Sequence, residues 1–170
     1  MDLVVGNELE KLSVYIRKRL KIKEEEIING DYLYTLIEKI NENFSCIKVE
    51  KDNYLACVIE NENFVKIKYD DKLDSYKILN FILHSLCYRI LNTLDELKKF
   101  KLENNIISDY EILNDKNTDY LAKAIMIPKE QFLHELAIFS TNDGFVKVDD
   151  MKKKLKIKSI VSRGKDLKIW

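Results

Sequence analysis

The residues able to do chemistry in this chain are few. It contains two histidines, His84 and His134, and three cysteines, Cys46, Cys57 and Cys87. His134 opens the run His134-Glu135-Leu136-Ala137-Ile138. Two imidazoles four residues apart share a helix face and can hold zinc, and a glutamate after the first can take a proton from the metal-bound water. Here Ile138 stands where the second imidazole would be, so the run reads as the surface of an amphipathic helix. His84 and Cys87 are three residues apart and also share a face. A cysteine nucleophile needs a thiolate, and Cys87 sits in a long apolar run, where a packed thiol is expected. The cysteines are odd in number and lack C-x-x-C spacing, which argues against a disulfide framework or a thiolate zinc site. They read as small buried hydrophobes in a reducing compartment. No Ser-His-acid arrangement and no glycine-rich phosphate loop is present.

The second chemical feature is charge. Lys152, Lys153, Lys154, Lys156, Lys158, Arg163, Lys165 and Lys168 face a single acid, Asp166, within the last twenty residues. The whole chain balances 29 basic against 29 acidic residues, so the remainder is net acidic by the same amount. Overall neutrality argues against wholesale nucleic-acid binding. The basic end, with a helix–turn–helix-like pattern over Val148–Ile169, leaves two readings open. It binds DNA or RNA phosphates, or it is a solvated segment packed through Leu155, Ile157, Ile160, Val161 and Leu167. Trp170, the only tryptophan and the last residue, is expected to dock into the domain or a partner.

These residues need elements to position them. A length of 170 residues with 46% hydrophobic content supports one domain with a small appendage. The spacing predicts a helix over Glu8–Leu20 with Leu9, Leu12, Tyr15, Ile16 and Leu20 inward and a solvated basic face of Lys11, Arg17, Lys18, Arg19 and Lys21. A second helix is expected over Asp31–Glu42, capped by Asn29 or Asp31. Strands follow at Cys46–Val49, Tyr54–Ile59 and Phe64–Tyr69, with a tight turn at Glu60–Asn63. A long buried helix covers Ser75–Leu91, with Leu94–Leu102 continuing it or bending away and Glu103–Asp115 loop-like. Helices over Asp115–Met126 and from Pro128 meet at the proline. The second of them turns Phe132, Leu133, Leu136, Ala137 and Phe139 inward. Asn142-Asp143-Gly144 is a turn, Phe145–Val148 a short strand, and two short helices end the chain, one capped by Asp149 or Asp150 and one over Lys158–Leu167. No apolar run reaches the roughly 18 residues that span a bilayer. Met1–Lys11 lacks the basic-then-apolar order of a signal peptide, so a cytoplasmic protein is expected.

The order of three segments carries a resemblance. His84-Ser85-Leu86-Cys87-Tyr88 lies on the long helix. Leu121-Ala122-Lys123-Ala124-Ile125-Met126-Ile127-Pro128 follows, and the chain ends in Arg163-Gly164-Lys165-Asp166-Leu167-Lys168-Ile169-Trp170. In this order the chain resembles the ImmA/IrrE-type metallopeptidases over about residues 30–170. The resemblance implies an α+β fold: a mainly helical, zincin-like domain over 1–144 with a small three-stranded antiparallel sheet. A short basic helical extension over 145–170 would pack on it. It also places the degenerate zinc motif. With His84 as the first ligand, Ser85 stands for the catalytic glutamate and Tyr88 for the second histidine. Asp115, Asn117 and Asp119 lie where the family carries its acidic ligand.

A hydroxyl does not serve as a base at neutral pH, and a neutral tyrosine is a poor zinc ligand. The expectation is therefore a non-enzyme without metal, cofactor or small-molecule substrate. It would act as a regulatory binding protein engaging a transcription regulator, a repressor or sigma factor, of a prophage or other mobile element. DNA association through the basic end is the alternative, and an active zinc peptidase with unusual ligands comes after both.

Overall fold

The computed structural model describes residues 3–61, 63–92, 99 and 115–169. The fold is α+β. Among the described residues no helix is long and apolar enough to cross a membrane.

Helix α1 spans Leu3–Arg19 and buries Leu9, Leu12 and Ile16, with Leu20 just beyond it. This three-to-four spacing puts them on one stripe. The helix ends in a left-handed Lys21 (φ 54°). There the Ile22 N–H donates to the Arg17 carbonyl at 2.9 Å and the Lys21 N–H to that of Lys18 at 3.0 Å, closing the last turn. Asn29 caps a single 3-10 turn over Gly30–Tyr32 by accepting from the Asp31 N–H at 3.0 Å. Helix α2 runs from Leu33 to Asn43 and turns Leu33, Leu36, Ile37 and Ile40 into the core.

Strands β1 (Ile47–Asp52), β2 (Ala56–Asn61) and β3 (Phe64–Asp70) form one sheet in the order β1-β3-β2. It is mixed, not antiparallel as expected. β3 pairs antiparallel with β2 but parallel with β1, in register from Ile47↔Val65 to Asp52↔Asp70. The three residues Asn53–Leu55 carry the chain across the end of β3, so the later strand inserts between the two earlier ones. Alternation then divides the faces. Ile47 and Val49 of β1 and Val65, Ile67 and Tyr69 of β3 are buried toward the helices. The opposite face is charged, with Lys68 bonded to Asp52 at 2.9 Å and Lys66 paired to Glu60.

Helix α3 (Ser75–Asn92) is buried along most of its surface, from Ile78 to Leu91. Helix α4 (Asp115–Met126) packs between α1 and α3 and is buried from Tyr120 to Met126. Pro128 separates it from α5 (Lys129–Phe139). In α5 only Phe132 of the expected inward residues is buried; Leu133 and Ala137 are exposed and Leu136 and Phe139 partly covered. The helix lies at the periphery, packed chiefly on the next one, so its apolar sequence outruns the surface available to cover it. The expected strand at Phe145–Val148 reduces to one bridge, Ser140↔Val146. It closes a turn in which Gly144 takes the positive φ of 79° that a side chain would resist. Helices α6 (Val148–Leu155) and α7 (Ile160–Asp166) complete the chain, and Met151, Leu155, Ile157 and Ile160 join the common core.

Candidate functional site

Helix α3 supplies the positions matched to the zinc motif. His84 is half-buried, Ser85 buried and Tyr88 42% exposed. Cys87 is fully buried in apolar surroundings, and burial pushes its thiol well above the ordinary range. A thiol so placed stays protonated, which removes a His84–Cys87 nucleophile.

Asp115 is exposed at the start of α4. Asp119, one turn on, is held at 2.5 Å by the ammonium of Lys123, which also binds Asp166 of α7 at 3.2 Å. Lys123 itself is buried. Asp119, expected from the resemblance at the acidic-ligand position, is therefore engaged by a lysine four residues later that it shares with Asp166. Asn117 is buried. Among the described residues no three His, Cys, Asp or Glu side chains stand together as a metal site. In the run His134–Ile138, His134 is exposed, whereas Glu135 is buried and paired with Lys154 at 3.0 Å. The expectation of a wholly exposed pair is corrected for the glutamate, because α6 packs over it.

Among the described residues the sheet leaves one edge without a partner. The two outer strands differ. On β1, the Asn41 side chain of α2 donates to the Val49 carbonyl at 2.9 Å and accepts from the Val49 N–H at 2.7 Å. A helix-borne amide thus occupies that edge as a strand would. β2 has no such cover among the described residues; its one strand partner is β3.

Register identifies the face. Cys57 lies opposite Ile67 and Ile59 opposite Val65, so both point to the side on which Ile67 and Val65 are buried. Yet Cys57 is exposed and Ile59 is 67% exposed. The apolar inner face of the sheet therefore overhangs the helices by one strand. Desolvation holds the Cys57 thiol above its ordinary pKa, with the Arg89 guanidinium of α3 pulling the other way. Cys57 and Ile59 thus form an exposed apolar shelf on the side of the sheet that faces the helices.

The basic end is largely engaged. Lys152 bonds to Asp149 at 3.3 Å, Lys154 to Glu135 at 3.0 Å, Lys156 to Asp31 at 2.5 Å and Lys158 to Asp74 at 3.7 Å. Lys153, Lys165 and Lys168 are exposed. Arg163 does not belong to a surface at all. It is 0% exposed and binds Glu10 of α1 at 2.7 Å to one oxygen and 3.0 Å to the other. Its Nε donates to the Ile127 carbonyl at 3.2 Å, and its head lies 5.1 Å from the centre of the Tyr120 ring. The Tyr120 hydroxyl donates to Glu10 at 2.6 Å. This buried cluster ties α1, α4 and α7 together. Trp170 lies outside the described residues.

Arg17 behaves alike and corrects the expected solvated face of α1. It is 3% exposed and donates to the carbonyls of Ile125, Lys23 and Glu26, each at 2.5 Å. Burial pushes its pKa down to about 10, against the pull of Glu26, and leaves it cationic at neutral pH. A sequence signal existed for both. Arg163 is three residues after Ile160 and four before Leu167, on the inward stripe; Arg17 directly follows Ile16. The chain also uses only four arginines among its 29 basic residues. That scarcity marks positions where a planar, five-donor head is needed and lysine does not suffice.

Compared with known proteins, the chain matches no family model, no curated protein and no solved structure.

Proposed function

We propose that the chain is a non-catalytic, ImmA/IrrE-like binding protein of the cytoplasm that captures an extended segment of a transcription regulator, a repressor or sigma factor, along the edge of β2. One observation carries this reading: Cys57 and Ile59 continue the buried face of the sheet outward and are exposed, beside a strand edge that is unpaired among the described residues. Strand addition there would satisfy the backbone groups of β2. It would also cover the apolar shelf with the alternate side chains of the incoming segment. The residues at the motif positions support capture without cleavage. Ser85 offers no base, Tyr88 no strong ligand, and Asp119 is held by Lys123.

The reading is tested by placing a photo-crosslinking amino acid at position 59 in the native host. The expected product is one predominant adduct with a transcription regulator, and the Ile59→Lys protein should lose co-purification of that same regulator. Adducts spread over abundant proteins would refute the reading. So would zinc-loaded protein that cleaves a repressor.

The basic end supports the alternative of nucleic-acid association less well. Four of its lysines already face carboxylates and its arginine is buried.

A further inference from the structure

Helix α5 is covered on one side. There Phe132 is buried, the Glu135 carboxylate binds Lys154 at 3.0 Å, and the same ammonium lies 5.4 Å from the centre of the Phe139 ring. On the other side Leu133, Ala137 and Ile138 are exposed. Phe145, in the turn that follows, is 74% exposed, the most of any large apolar side chain among the described residues. Single exposed apolar residues are ordinary. Four on one helix and its closing turn make a patch, and such patches mark interaction sites.

The turn is held firmly. The Phe145 N–H donates to the Thr141 hydroxyl oxygen at 3.2 Å, and the Thr141 N–H donates to the Phe145 carbonyl at 2.7 Å. The Gly144 N–H donates to the Thr141 carbonyl at 2.9 Å and the Lys147 N–H to that of Phe139 at 3.0 Å. Phe145 is thus a projecting ring on a fixed backbone, and covering it costs little ordering. Ala137, small and flanked by Leu133 and Ile138, is a low point on the same face. A second copy turned end for end fits ring to hollow twice over, as a two-fold contact requires.

Charge points to the same occupant. Lys129 and Glu130 begin α5, while Asp143 and Lys147 lie beyond its other end. All four are exposed, and none makes an ion pair among the described residues. With two copies antiparallel, Lys129 meets Asp143 at the tip of the second copy's turn, Glu130 comes to the end that carries Lys147, and Phe145 reaches Leu133. A parallel pair would set each charge against its own kind.

We propose that α5 and its turn form a two-fold, antiparallel contact between two copies of this chain. The contact shares no residue with the β2 edge. An 11-residue helix is about 16 Å long, short for the roughly 800 Å² per partner of a stable interface, so the dimer is weak and concentration-dependent.

The test is sedimentation of the full chain from about 5 μM to about 500 μM, where so small an interface would assemble. The chain should pass from monomer to dimer across that range. Phe145→Ser keeps the backbone bonds of the turn and should melt like the parent. It should weaken association about a hundredfold or more, since each dimer loses two apolar rings. Lys129→Glu and Asp143→Lys should each weaken it. Mixed, they should associate better than either alone, because the reversed charges face each other at one end and the native pair remains at the other. Ile59→Lys should leave association unchanged, which separates this face from the capture edge. A chain that stays monomeric throughout would overturn the proposal and leave the patch to another protein. So would a dimer untouched by Phe145→Ser, a dimer lost in Ile59→Lys, or a mixture no better than its parts.

Discussion

Replacing Arg163 by methionine is the sharpest perturbation the structure offers. The guanidinium is 0% exposed, and its partner Glu10 has a side chain only 17% exposed. Removing the cation leaves a nearly buried carboxylate without its counter-charge, frees the Ile127 carbonyl and strips the Tyr120 ring of its contact. Breaking one side of such a pair costs about 3–5 kcal/mol, chiefly through the stranded charge. Whole domains are stable by only about 5–15 kcal/mol. For a chain of this length the loss corresponds to about 6–20 °C in Tm. Urea unfolding of Arg163→Met, Glu10→Leu and the double variant measures it. The double variant should recover most of the loss, because two apolar side chains of similar volume replace the pair and no charge is stranded. What remains should reflect the Tyr120 hydroxyl, which donates to Glu10 at 2.6 Å and would lose its acceptor. A loss below about 1 kcal/mol in Arg163→Met, the size of an exposed ion pair, would refute this account. So would a double variant whose loss equals the sum of the singles.

Three further outcomes are expected. Lys21→Gly should raise stability by about 0.5–1 kcal/mol in the same urea assay, because position 21 holds φ at 54° where a side chain is strained. Thiol labelling of the native protein should modify Cys57 first and half-buried Cys46 more slowly, and should reach Cys87 only on unfolding. The third concerns alkaline pH. Burial first, and then the Glu26 carboxylate, push the Tyr32 phenol up to about 12 from 10. Burial and Glu10 move Tyr120 in the same direction. In both cases the folded state keeps its proton longer than the unfolded chain. Their contribution is therefore whole below pH 10 and is lost as pH rises through the folded values. Urea midpoints taken from pH 8 to pH 11.5 should fall above pH 10, and Tyr32→Phe should reduce that slope.

The helices were legible because each writes its inward stripe into the sequence. Leu9, Leu12 and Ile16, or Leu33, Leu36 and Ile40, are local patterns that no tertiary partner needs to explain. The sheet order was not legible. Three strand-like runs joined by short links suggest hairpins, and nothing in Asn53–Leu55 announces that the chain will cross β3 and leave room for it. α5 misled because its apolar composition is real while its cover is partial; Leu133 and Ala137 are apolar without being inside. His84, Ser85 and Tyr88 lie on a helix, as their spacing predicts, but the pairing of Asp119 depends on Lys123, which stands out in the sequence only as part of the stretch that carries the resemblance. The basic end misled in the opposite sense. Counting charges takes no account of where they point, and its most important member, Arg163, points into the core toward a glutamate more than 150 residues earlier. No local window contains that pair.

An uncovered strand is also a template for its own kind. Two copies meeting β2 to β2 would hide Ile59 from water and could, in a longer strand, begin a stack. The register shift between Ile59 and Asn61 interrupts the pairing line, and Glu60, paired to Lys66 on the charged face, marks where the apolar stretch stops. What is left is Ala56–Ile59, four residues with a regular edge. Fibre-forming segments need about six or seven. An edge of that length falls short of what a propagating stack requires, and capture of a short guest on it is the proposal above. The register shift that ends the regular edge also shortens what a second copy could pair with.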